Sequence, residues 1–143
     1  MATEVRLCVT LVPVGQPWVA VSTVDTCRRQ QLTEPTKFEF EYMTDQPGQI
    51  LSVRHFGKNN QDPDTAVIVK DIGFFGISDP KFVWQGCYCP EYPEPWLSQQ
   101  WPRPSHTLRN VDYLGWNGTW TLQFTAPVFT WIHQVQNLGW IHP

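Results

Sequence analysis

Apolar and polar side chains alternate one for one through residues 37–42. Successive side chains of a β-strand point to opposite faces, so Phe38, Phe40 and Tyr42 define a core face and Lys37, Glu39 and Glu41 a wet one. The same period recurs in short runs. Val5, Leu7, Val9 and Leu11 alternate with Arg6, Cys8, Thr10 and Val12, and Trp120, Leu122 and Phe124 with Thr119, Thr121 and Gln123. Further strands are expected over 18–24, 49–56, 66–77, 81–84 and 128–134. The run 66–77 is apolar on both faces, which predicts a central, covered strand. No segment stands out with a helical period. Repeated short strands with turn signals predict an all-β chain, an antiparallel β-sandwich of jelly-roll or immunoglobulin-like type. The 143 residues are expected to form a single domain over 1–143, long enough to bury a two-layer core without a metal or disulfide staple.

Turn residues suggest how the strands connect. The stretch 13–17 contains Pro13, Gly15 and Pro17 and predicts a hairpin between the first two strands. Pro47 and Gly48 stand in type II order and predict a second hairpin, joining 37–42 to 49–56. Residues 28–35 read as a polar connection. Asn117 and Gly118 suit the positive φ of a tight turn, which places Trp116 beside it at the end of the sandwich, where an indole either packs in the chain or an oligomer contact or serves as a solvent-facing platform.

Residues 86–110 break the pattern. Pro90, Pro93, Pro95, Pro102 and Pro104 share this stretch with Tyr88, Tyr92, Trp96 and Trp101. Proline fixes φ and donates no ladder hydrogen bond, so the segment is expected to be a long irregular arm. Its aromatics argue for order, because disordered segments are poor in them.

Charge narrows the function classes. Only 16% of residues are charged, the net charge is −3 and no basic run occurs, so the footprint of phosphate-backbone binding is missing. No apolar stretch is long enough to span a membrane, and the first residues lack the basic-then-apolar order of a signal peptide. Of the four cysteines, Cys87 and Cys89 would share a strand face at a spacing that fits neither a zinc nor a redox motif. Free thiols are expected throughout, with a Cys8–Cys27 bridge as the main alternative.

No catalytic residue is assigned. His55, His106, His133 and His142 are scattered, and no nucleophile, zincin or phosphate-loop motif occurs. Glu39 and Glu41 look like the wet face of a strand, and Glu91 and Glu94 lie in the arm, so a carboxylate pair for glycoside cleavage is not indicated. The candidate ligand or partner contacts are Tyr92, Trp96, Trp101, Trp116 and Asn117. Flat aromatic faces stack on sugars and equally pack against other proteins. The loop 59–64 supplies Asn59, Asn60, Asp62 and Asp64. Such oxygens suit calcium, and the same residue types also simply make good turns.

Residues 51–65 followed by 68–77, and residues 113–124 followed by 127–132, resemble small virion-associated structural proteins of T4-like and cyanobacterial tailed phages. The strand–polar loop–strand order is also similar to calcium-dependent xylan-binding modules, which are β-sandwiches. The first resemblance implies a bacteriophage virion accessory protein of capsid, neck, tail or fibre. It would be assembled in host cytoplasm, be homo-oligomeric, and dock on other virion proteins through the arm. The second implies a carbohydrate-binding module, free or displayed on a virion, that recognises cell-surface glycan with calcium held by Asn59, Asp62 and Asp64. A small hydrolase is the most distant of the three readings.

Overall fold

A computed structural model describes residues 2–58, 65–92, 97–102, 104–105 and 107–136. Along the chain come β1 (Thr3–Val14), β2 (Trp18–Ser22), β3 (Cys27–Gln31), β4 (Thr36–Thr44), β5 (Gly48–Phe56), β6 (Ala66–Phe74) and β7 (Ile77–Ser78). There follow α1 (Pro80–Trp84), β8 (Cys87–Pro90), β9 (Leu108–Arg109), β10 (Tyr113–Leu114), β11 (Gly118–Thr125) and α2 (Val128–Gln136). Two antiparallel sheets face each other. One runs β10-β6-β1-β4 with β7 beside β6, and the other runs β3-β2-β5-β11-β8-β9. The alternation read from the sequence sets their inner faces. Val5, Leu7, Val9, Leu11, Phe38 and Phe40 of the first meet Val19, Val21, Leu51, Val53, Trp120 and Leu122 of the second, all buried. The expected antiparallel β-sandwich is therefore what forms.

The pairing of strands departs from the hairpins expected. β1 pairs with β4 and β6, and β2 with β3 and β5, so the turn at 13–17 carries the chain from one sheet to the other. The turn at 45–48 does the same between β4 and β5. Pro and Gly fix a chain reversal; they do not fix whether the second strand hydrogen-bonds beside the first or packs across the core from it. The hairpins that do form are β2–β3, at residues read as a connection, and the short β6–β7, where Phe74 pairs with Ile77. Every residue of β3 is exposed, because this edge strand has no inward apolar row, and its two arginines blunt the edge against pairing with another chain.

Two expected strands are helices. Asp79 caps α1, its carboxylate accepting from the Lys81 amide at 2.9 Å, and Pro80 begins the helix, where a missing N–H costs nothing. In α2, Val128, Trp131, Ile132 and Val135 are buried at helical spacing. Trp131 packs 5.2 Å from Phe74 and 5.4 Å from Phe82, centroid to centroid, closing the sandwich where β11 ends. The arm is also shorter than expected. Cys87–Pro90 pairs with β11, and Leu108–Arg109 pairs with β8, so both ends of the 86–110 segment belong to the second sheet. All four cysteines are free, with Cys8 and Cys27 in different sheets. No helix among the described residues is long and apolar enough to cross a membrane.

Candidate functional site

Opposite α2, where β5 ends and β11 begins, two chain segments run side by side with Gly118 registered against His55. The Asn117 carboxamide continues the ladder beyond the last backbone pair. Its Oδ1 accepts from the Lys58 amide at 2.9 Å, and its Nδ2 donates to the Lys58 carbonyl at 2.6 Å. A side-chain amide has one acceptor and two donors in one plane, so it can stand in for a peptide group. The turn expected at Asn117-Gly118 is a crossing between the two sheets. β10 lies in the first sheet and β11 in the second, so residues 115–117 carry the chain between layers. Gly118 has φ 155°, and a Cβ there would lie 2.5 Å from the Cys89 carbonyl oxygen, so backbone proximity is what demands glycine.

The main chain of Trp116 is clamped. The Tyr88 hydroxyl donates to the Trp116 carbonyl and accepts from the Trp116 amide at 3.1 Å. Burial pushes the Tyr88 phenol up to about 12, so it stays protonated and keeps donating. Glu91 N donates to the Asn117 carbonyl at 2.6 Å, tying the start of the arm to the same point. The Lys58 ammonium donates to the carbonyls of Gly115 at 2.7 Å and Thr65 at 3.0 Å, and lies 4.8 Å from the Trp116 ring centroid. That is cation–π distance. Trp116 is therefore half-buried with a cation over its ring. Beneath it His55 is fully buried. Its Nδ1 faces the Leu114 carbonyl at 3.0 Å, an acceptor, so the neutral ring carries its proton there. Burial is the main cause holding the His55 pKa below its ordinary value, and the Lys58 ammonium acts in the same direction.

The other candidates distribute unevenly. Trp96 and the loop residues Asn59, Asp62 and Asp64 lie outside the described residues. Tyr92 spans the arm, its hydroxyl donating to the Ser105 carbonyl at 2.8 Å, and Trp101 is 91% exposed. Trp116 and Asn117 belong to the strand end. Among the described residues no group of three or more His, Cys, Asp or Glu could hold a metal ion. The carbonyls of Thr65 and Gly115, at the root of the 59–64 loop, already receive an ammonium. The described residues therefore supply no carboxylate cluster for calcium, and the candidate ligands Asn59, Asp62 and Asp64 lie outside them. Lys58 and Tyr88 were not legible as site residues. Lys58 sits in a run of turn formers, and Tyr88 reads as one aromatic among many.

No protein-family model and no curated protein matches the chain. Among solved structures, vCBM60 in complex with galactobiose is similar, with a TM-score of 0.50, 16% identity, and 84% of this chain aligned to 97% of that one. A selenomethionine form of vCBM60 has a TM-score of 0.51 at 16% identity, over 86% of this chain and 92% of that one. It is described in connection with a circular permutation that links two families of calcium-dependent carbohydrate-binding modules. At this identity the likeness shows a shared fold.

Proposed function

We propose that the protein is a non-enzymatic glycan-binding module, with a saccharide held at the strand end built by Lys58, Trp116 and Asn117. The observation that carries this reading is the extent of the likeness: the sandwich follows a galactobiose-bound module over 97% of that module's chain. The strand end adds chemistry in keeping with it. A half-buried indole is held by a backbone clamp beside amide and ammonium groups. Apolar ring faces with a few placed polar groups are what sugars require. Calcium enters the reading through Asn59, Asp62 and Asp64 alone.

The test is affinity electrophoresis and calorimetry with galactobiose and neutral β-linked galactan. Wild type should bind, and Trp116→Ala should weaken binding about tenfold, the loss of roughly one aromatic contact. Galactan binding that is indifferent to Trp116→Ala would move the site elsewhere, and no glycan binding at all would end the reading. A second reading is docking on a virion or other large particle through the arm, and Trp101 at 91% exposure favours it. Trp101→Ala should then lower co-sedimentation with particles and leave glycan binding untouched.

A further inference from the structure

The outer face of the second sheet is a separate feature. Strand register places Trp18 opposite Phe56. The next row across the sheet holds Arg29, Ala20 and Arg54, and Arg109 lies on the same face opposite Cys87. Trp18 is 45% exposed, and its ring centroid lies 6.2 Å from that of Phe56. The Arg29 guanidinium stands 5.8 Å from the Phe56 centroid, a cation–π contact that keeps it near the aromatic pair. Arg29 and Arg54 are separated by the β2 strand, so their backbones lie about 10 Å apart, two strand spacings. Small Ala20 between them is covered by its neighbours, 8% exposed.

The charge on this face is one-sided. None of the six strands contains Asp or Glu. Arg29, Arg54 and Arg109 are all exposed, and among the described residues none has a carboxylate within ion-pair distance. Yet the whole chain carries a net charge of −3. A protein with more acid than base has placed Arg29 and Arg54, without an ion pair among the described residues, beside an aromatic pair. Ser22, Ser52, Thr119 and Thr121 complete the surface with hydroxyls on the same face.

We infer that this sheet face binds an acidic polysaccharide chain, one whose uronate carboxylates meet Arg29 and Arg54 while a sugar ring lies on Trp18. The inference rests on the glycan-binding reading and adds a second surface with its own ligand class. Guanidinium takes a planar carboxylate with two parallel hydrogen bonds. Widely spaced guanidiniums match charges carried by separate sugars of an extended chain. A nucleic acid presents a charge at every nucleotide and would be met by a denser cationic track. The overall negative charge also opposes a dense polyanion at long range.

The experiment compares wild type with Arg29→Gln/Arg54→Gln, Trp18→Ala and Trp116→Ala, using polygalacturonate, neutral galactan and a single-stranded DNA oligonucleotide at one ionic strength. Melting curves confirm that each variant is folded. Polygalacturonate should bind wild type and Trp116→Ala alike, weaken at least tenfold in the double-arginine variant and in Trp18→Ala, and loosen with added salt. Unchanged polygalacturonate binding in those two folded variants overturns the inference, as does DNA binding of equal strength. Galactan binding without polygalacturonate binding overturns it too, while leaving the glycan reading standing. Failure to bind either glycan removes both.

Discussion

The two sheets have the same alternation and share one core, but their outer faces are built differently. On the first sheet β1, β4 and β6 carry both signs: Glu4, Arg6, Lys37, Glu39, Glu41, Lys70 and Asp71. Arg6 reaches Glu4 and lies 3.4 Å from Glu41, so this face answers its own charge. The second sheet offers arginine without acid, and a partly exposed Trp18 among hydroxyls. Exposed ion pairs add little to stability, so the contrast is not explained by folding. One face mixes acid and base; the strands of the other carry arginine without acid.

Substitutions can break or sharpen this contrast. The largest expected effect is on stability and belongs to neither outer face. Trp120→Ala removes a fully buried indole packed so closely on Gly86 that a Cβ there would fall 2.1 Å from the ring. It should cost about 3–5 kcal/mol by denaturant unfolding. Trp18→Ala, on the outer face of the same sheet, should cost well under half of that. Equal losses would mean that Trp18 is structural and the outer face has no spare aromatic.

Next comes charge. Arg29→Gln/Arg54→Gln should weaken polygalacturonate binding at least tenfold, while Glu39→Gln/Glu41→Gln on the opposite face should leave it within about twofold, since those charges lie across the sandwich. If the two pairs shift binding equally, only net charge matters and the faces do not differ. The strand end supplies a smaller expectation, through His55. Its folded pKa lies below the ordinary 6.5 that the unfolded chain keeps. The unfolded state therefore takes up the proton first, so stability is complete above that value and falls as pH drops from there toward the folded pKa. Urea midpoints of wild type and His55→Gln, measured from neutrality down to about pH 5, should differ most at the upper end. Parallel pH profiles would show that His55 titrates alike in the folded and unfolded chain, so that burial does not lower its pKa. The smallest effect is calcium: excess calcium should raise the melting temperature modestly, and Asp64→Ala should remove the gain. A melt indifferent to calcium leaves 59–64 as a turn.

Strand existence was legible because one wet and one dry face leave a period of two, as in β1, β4 and β11. What joined the strands was not. Pro47-Gly48 marks a reversal in either a hairpin or a crossing between layers, and only the far partners decide which. β3 was invisible because an edge strand with both faces wet has no alternation to read. α2 was taken for a strand because Phe129, Trp131 and Ile132 favour sheets, although Val128, Trp131, Ile132 and Val135 recur at helical spacing. At the strand end, Trp116 and Asn117 could be singled out by residue type, but not their surroundings: Asn117 mimics a peptide group to Lys58, and Trp116 is held by Lys58 and Tyr88, partners distant in sequence. The row of Arg29, Ala20 and Arg54 could not be seen, because it needs cross-strand register that no local pattern contains.

The central claim is that this sandwich holds glycan, and affinity electrophoresis of the wild-type chain through native gels containing galactan tests it most directly. The account predicts retarded migration relative to a glycan-free gel, relieved by free galactobiose and largely lost in Trp116→Ala. Identical mobility in the galactan and glycan-free gels, for a protein whose melting curve shows it folded, would contradict it.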